Sequence, residues 1–161
     1  MDENALRLAL RKSVDEVLEK MFFAETLGEA PETGEVPPAE ELSVELFFEG
    51  EPPGAMCLRL TVAAAHEIAA DFLGVDAGSI SDTQVSEVVC ELANMVCGSV
   101  LSRAESAATF HLGVPRLIHP GVARENAFSN VSYCVQLSLG RLAVNIVTGT
   151  TICPRSVPSA Y

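Results

Sequence analysis

The stretch VSYCVQLSLGRLAVNI, residues 131–146, alternates almost without a break. Val131, Tyr133, Val135, Leu137 and Leu139 fall on one side of an extended chain. Ser132, Cys134, Gln136 and Ser138 fall on the other, because successive side chains of a strand point to opposite faces. Gly140-Arg141 has the composition of a tight type II′ turn, and Leu142, Val144 and Ile146 resume the alternation. The stretch therefore predicts an antiparallel hairpin with one apolar face, which needs a layer of helices to cover it.

Working outward, Leu42, Val44, Leu46 and Phe48 alternate with Ser43, Glu45 and Phe47. Met56, Leu58 and Leu60 alternate with Cys57 and Arg59. With Glu49-Gly50-Glu51-Pro52-Pro53-Gly54 between them, these runs predict a second hairpin with a longer loop. Thr61 is placed to cap a helix over Val62 to Leu73 that Gly74 ends. Ser81 and Gln84 have capping-box spacing and open a longer helix to about Arg103. Near the start, Leu6, Leu10, Val14, Val17, Leu18 and Met21 recur at steps of three and four, predicting a helix over Asn4 to Phe23. Phe22 and Phe23 are assigned to the core.

Residues 28–41 are acidic and hold Pro31, Pro37 and Pro38, so they read as a solvated loop; 150–161, with Pro154 and Pro158, read as a tail. Thr109 to Ile118 reads as extended, with a turn at His119-Pro120-Gly121. The order is helix, two strands, two helices, three strands. Without strand–helix–strand alternation, a doubly wound nucleotide fold is disfavoured. The expectation is one α+β domain over 1–161, an antiparallel sheet of about five to six strands covered by amphipathic helices.

Composition narrows the function. The chain has 161 residues, with 22 Asp and Glu against 10 Lys and Arg, for a formal net charge of −12. Nucleic-acid backbones and anionic membrane surfaces would be repelled. The five Cys, at 57, 90, 97, 134 and 153, form no CxxC, which argues against zinc ribbons, thioredoxin-type centres and disulfide scaffolds. The opening MDENALRLALRK puts acids where a signal peptide needs bases, and no uninterrupted apolar run is long enough to cross a bilayer, so a cytoplasmic protein is expected.

The chemistry concentrates on the helix from Thr83 to Arg103. On a helical wheel Val85, Val88, Val89, Leu92, Met95, Val96 and Val100 share a broad core face. Glu87, Glu91, Asn94 and Gly98 form a stripe on the other side. Glu91 and Asn94, three apart, project from neighbouring points, and Gly98 one turn on would let another surface come close. A carboxamide accepts through its oxygen and donates through its nitrogen, so it can orient a water but cannot serve as a strong base. Phosphoryl transfer tolerates that, since its catalysis is mostly positioning and charge stabilisation. An isolated Glu-x-x-Asn is more often an ordinary polar pair on a solvated face.

The string Glu91-Leu92-Ala93-Asn94-Met95-Val96-Cys97-Gly98, preceded by Glu87 and a Ser-Asp cap, resembles the signature helix of the CheC/CheX/FliY phosphatases of bacterial chemotaxis. CheC- and FliY-type members carry two copies and CheX-type members one. The N-terminal helix has Glu16 and Glu19 but no Asn three after a Glu, which points to the CheX branch. The resemblance implies that this chain hydrolyses the aspartyl phosphate of a CheY-like response regulator. It gives Glu91 the task of pairing with the regulator's lysine, and Asn94 that of positioning water for in-line attack. Glu87 and Gly98 would meet the partner. It further implies a homodimer built by sheet extension, Mg²⁺ held by the regulator, and no metal or cofactor bound by this chain.

Other residues take plainer readings. His66, His111 and His119 lack the spacing of a ligand set, and Cys90 and Cys97 read as small apolar filler at the edge of the stripe. Glu125 and Asn126 are adjacent and so do not repeat the motif. The competing reading is a non-catalytic module that binds a regulator or a flagellar-switch-type partner; a small-molecule or metal enzyme lacks any convergent set of groups and ranks last.

Overall fold

The computed structural model describes residues 1–31, 40–118 and 131–149. Its elements run α1 (Glu3–Met21), β1 (Thr26–Glu29), β2 (Glu41–Glu49), β3 (Gly54–Thr61), α2 (Val62–Leu73), a 3-10 turn (Ala77–Ser79), α3 (Asp82–Ala104), β4 (His111–Leu112), β5 (Arg116–Ile118), β6 (Val131–Leu137) and β7 (Gly140–Thr148). The strands form one antiparallel sheet in the order β1-β6-β7-β3-β2-β4, with β5 also paired to β2. The α+β expectation holds. Strand count exceeds it because the extended run 109–118 divides into two short strands and β1 adds another.

Both predicted hairpins form. Val44, Leu46 and Phe48 of β2, Met56, Leu58 and Leu60 of β3, Leu142, Val144 and Ile146 of β7, and Val131, Val135 and Leu137 of β6 make one apolar face. The buried sides of all three helices pack into the same core. The capping residues act as their types suggest: Thr61 Oγ accepts from the Ala64 N–H at 3.4 Å to start α2, and Gly74 ends it in the left-handed conformation. A Tyr133 hydroxyl donating to Asp15 at 2.9 Å ties β6 to α1.

Several expectations are corrected. The turn of the β6–β7 hairpin is Ser138-Leu139, with Leu137 and Gly140 paired across it, so Gly140 opens β7 instead of sitting inside the turn. Leu139, at the turn, is 55% exposed and leaves the apolar face. Gly140 answers a different need: at φ 140° its hydrogen faces Thr61, and a Cβ there would stand 2.0 Å from Thr61 Oγ1. Met21 and Phe23 are also exposed, Phe23 by 71%, while Phe22 is buried and stacks on Phe72. The chain turns sharply after α1 at Phe23, φ 55°, so adjacent rings point to opposite environments. Gly28 and Glu29, read as the start of a loop, belong to β1, whose exposed side chains show no apolar alternation. Residues 32–39 of that loop, the turn at 119–121, Glu125-Asn126, Cys153 and the tail lie outside the described residues.

Among the described residues α3 is long and apolar enough to cross a membrane by length and composition alone, but Glu87 and Glu91 interrupt it, so the expectation of no uninterrupted apolar run of that length stands. Its apolar side is buried against the sheet and its other side carries Glu87 and Glu91 to solvent, as in a core helix of a globular fold.

Candidate functional site

The site rests on α3, and the sequence fixes where that helix begins. Ser81 Oγ accepts from the Gln84 N–H at 3.2 Å and Gln84 Oε1 accepts from the Ser81 N–H at 2.9 Å, a complete capping box. Asp82 lies in the first turn and Arg103 in the last, each matched to the helix dipole. Val85, Val88, Val89, Leu92, Val96 and Val100 are buried as the wheel requires, together with Ala93, Cys97 and Leu101; Met95 is half-buried. This broad apolar anchor sets the rotation of α3 about its axis.

Polar links to α1 reinforce that rotation. Ser99 Oγ donates to Ser13 Oγ at 2.9 Å, Arg103 Nε donates to Ser99 Oγ at 3.3 Å, and Arg103 pairs with Glu16. The Glu16 carboxyl is held below the usual carboxylate range, first by the hydrogen bond from Lys20 and then by the charge of Arg103. The outer stripe therefore faces away from the core on a helix held from two sides.

Along this stripe Glu87 and Glu91 are exposed, and Asn94 and Gly98 are half-buried. All four predicted site residues lie on one helix face. From Glu87 to Gly98 the rise is about 16 Å, and Asn94 and Gly98 are one turn, about 6 Å, apart. A carboxylate, a carboxamide and a bare backbone position are thus presented side by side. The carboxylate can grip a cation on an approaching surface, and the amide can hold a small polar molecule in a set direction.

The structure adds a residue that the sequence did not single out. A Cβ built on Gly98 would lie 3.7 Å from Leu112 Cδ1, so Leu112, 41% exposed, forms the wall of a shallow notch whose floor is Gly98. Strand β4 holds Leu112 there by pairing it with Phe48, while the Gly113 N–H donates to the Phe47 carbonyl at 2.8 Å. Phe110 packs edge-on against Phe48 with ring centroids 6.0 Å apart. No local pattern in 109–118 could have placed Leu112 beside α3, because the β2–β4 pairing that brings it there spans some sixty residues of sequence.

The remaining candidates take the plain readings. Cys97 is fully buried in the core, not at the edge of the stripe, and burial pushes its thiol up to about 12. Cys90 is half-buried against the same core, and burial raises its thiol as well. Neither has thiolate character at neutral pH. His66 Nε2 lies 3.6 Å from the Asp82 carboxylate, joining α2 to the start of α3, and His111 is exposed on β4. Among the described residues no group of three or more His, Cys, Asp or Glu side chains is arranged to hold a metal ion.

Comparison with known proteins gives a consistent result. The family model described as chemotaxis phosphatase CheX matches residues 43–136, more than half of the chain and including all of α3. No curated protein sequence matches. Among solved structures, chemotaxis protein CheX from Vibrio vulnificus is similar with a TM-score of 0.72 at 20% identity, covering 92% of this chain and 99% of that one. The CheX of a CheX–CheY–BeF3–Mg²⁺ complex from Borrelia burgdorferi has a TM-score of 0.67 at 18% identity, covering 89% and 97%. FliY from Thermotoga maritima is similar at 0.58 and 12% identity, covering 89% and 86%.

Proposed function

Because the chain belongs to the CheX family of chemotaxis phosphatases, we propose that it hydrolyses the aspartyl phosphate of a CheY-like response regulator, working from the outer stripe of α3. The observation that carries this reading is the exposure of Glu91 beside Asn94 on a helix whose other side is locked into the core. A matched complex of a related fold with CheY, BeF3 and Mg²⁺ supports the choice of partner.

In this reading Glu91 forms an ion pair with a lysine at the rim of the regulator's phosphorylation pocket, and so sets the angle at which Asn94 enters. The Asn94 amide accepts a hydrogen bond from a water and holds its oxygen in line with the phosphorus. Water oxygen then bonds to phosphorus as the bond between phosphorus and the aspartyl oxygen breaks. The products are free aspartate and inorganic phosphate, and the proton leaves with the phosphate. The amide accelerates the step by placing the nucleophile; it does not take the proton. Mg²⁺ belongs to the regulator, where it offsets charge on the phosphoryl oxygens, and this chain supplies no ligand to it. Glu87 adds a second carboxylate to the docking face.

We place the protein in the cytoplasm, where such regulators act, and as a homodimer joined at a sheet edge. Of the two edges, β1 lies farther from α3's stripe in strand order, at the opposite end of the sheet from β4. Among the described residues β1 pairs only with β6, and its other edge is suited to pairing with a second copy; a solution mass equal to one chain would refute the dimer.

The test is the decay of a phosphorylated CheY-type regulator with and without the protein. Accelerated release of phosphate that is lost in Asn94→Ala supports the phosphatase reading. Binding without any change in decay would favour a non-catalytic interaction module instead, a reading compatible with the fold shared with FliY.

A further inference from the structure

Among the described residues no packing contact requires glycine at position 98. It lies in the interior of α3, where glycine weakens a helix relative to alanine by leaving more backbone freedom to be lost on folding. Among the described residues a Cβ at this position would meet only Leu112 Cδ1, at 3.7 Å, an ordinary van der Waals distance, and the backbone there is not left-handed. Alanine would therefore fit and would strengthen the helix. Leu112 shows the converse: its isobutyl group is left 41% exposed although it sits on a strand fastened by Phe48, Phe110 and Gly113. Val114, two residues further along the chain, is 80% exposed as well.

We propose that Gly98 and Leu112 form a seat for the response regulator, with Gly98 admitting a close-lying main-chain segment of the regulator and Leu112 packing against an apolar side chain next to it. The inference rests on the proposed phosphatase reading and adds the contact that fixes depth of approach. Asn94 is one helical turn from Gly98, so a folded regulator domain whose phosphoryl group reaches the Asn94 amide also lies over the notch. Filling it would hold the partner off by about the thickness of a methyl group while leaving the amide itself unchanged. An approach error of that size is enough to weaken docking and positioning together.

The variants Gly98→Ala, Gly98→Leu and Leu112→Ala are compared with the parent chain in two measurements. The first is thermal unfolding. Gly98→Ala is expected to raise Tm by about 2–4 °C, so weaker docking by this variant cannot be ascribed to misfolding. The second is titration with a purified CheY-type regulator held as its beryllofluoride complex with Mg²⁺, which reads docking without turnover. Gly98→Ala is expected to weaken Kd about tenfold, Gly98→Leu further, and Leu112→Ala about tenfold, a loss on the scale of one buried apolar contact. An unchanged Kd in Gly98→Ala and Gly98→Leu would overturn the seat while leaving the phosphatase reading intact. If the regulator binds the parent and the Gly98 variants weaken it, but Asn94→Ala leaves phosphate release unaltered, the seat stands and the catalytic reading falls. Failure of the parent chain to bind would overturn both.

Discussion

Replacing Gly140 by alanine should destabilise the protein well beyond an ordinary surface change, and the structure shows how the cost divides. Gly140 has φ 140°, a conformation L side chains rarely adopt, and forcing alanine into it costs on the order of 1–2 kcal/mol. The new Cβ would also lie 2.0 Å from Thr61 Oγ1 and 3.0 Å from Thr61 Cβ, so Thr61 must move. That hydroxyl accepts the Ala64 N–H that begins α2 and donates to the Leu139 carbonyl at 3.4 Å. Losing the cap costs about 1 kcal/mol, and the second bond a fraction of that. The sum is about 2–4 kcal/mol, or a fall in Tm of roughly 5–15 °C for a chain of this size. Urea unfolding of Gly140→Ala in two backgrounds separates the parts. Thr61→Gly removes the obstructing atoms, and glycine at an N-cap is only a few tenths of a kcal/mol worse than threonine. In that background the Gly140→Ala penalty should shrink to the backbone share, about 1–2 kcal/mol. The same penalty in both backgrounds would refute the steric argument.

Two further outcomes follow from the groups already described. Burial, as the first cause, pushes both the Cys97 thiol and the Tyr133 hydroxyl up to about 12; the bond to Asp15 adds to the Tyr133 shift. Below their ordinary values, about 8.5 and 10, both states keep these protons. Above them the unfolded chain releases protons that the folded chain retains, so stability should fall from about pH 8.5 towards 12, at up to about 1.4 kcal/mol per pH unit per proton. Urea midpoints from pH 8 to 11 check this, and Tyr133→Phe should flatten the part above pH 10; a constant midpoint would contradict it. Glu91→Gln removes the charge but keeps the shape, so it should raise KM for a phosphorylated regulator about tenfold and, because the ion pair also sets the angle of Asn94, lower kcat about fivefold. Steady-state phosphate release measures this, and a loss confined to kcat would move Glu91 from docking to chemistry.

What the sequence disclosed follows physical range. The capping box at Ser81, the Thr61 cap, the strand alternation of 42–48, 56–60, 131–137 and 142–146, and the single stripe of Glu87, Glu91, Asn94 and Gly98 are all written within a few residues, and all are present in the structure. Features decided across the chain were not visible. Strand β1 is an edge strand with exposed side chains, so only its pairing to β6 defines it. Gly140 reads as a turn residue because Gly140-Arg141 sits between two alternating runs and fits a type II′ turn, whereas its real constraint is Thr61, far back in the sequence. Side-chain type alone points Phe23 inward, but the left-handed backbone after α1 turns it outward. Cys97 was placed near the stripe by its angle on the wheel, yet the core around α3 is broad enough to enclose it completely. Leu112 reached the site only through the β2–β4 pairing.

The most direct measurement is the half-life of a phosphorylated CheY-type regulator at saturating amounts of this protein and of Asn94→Ala. Asn94 lies on the outer side of α3, so the substitution should leave the unfolding free energy measured in urea within about 0.5 kcal/mol of the parent. The account predicts that the parent shortens the half-life and that Asn94→Ala, equally folded and still bound, loses the acceleration by on the order of 10²-fold. Decay that is equally fast with both proteins would contradict it.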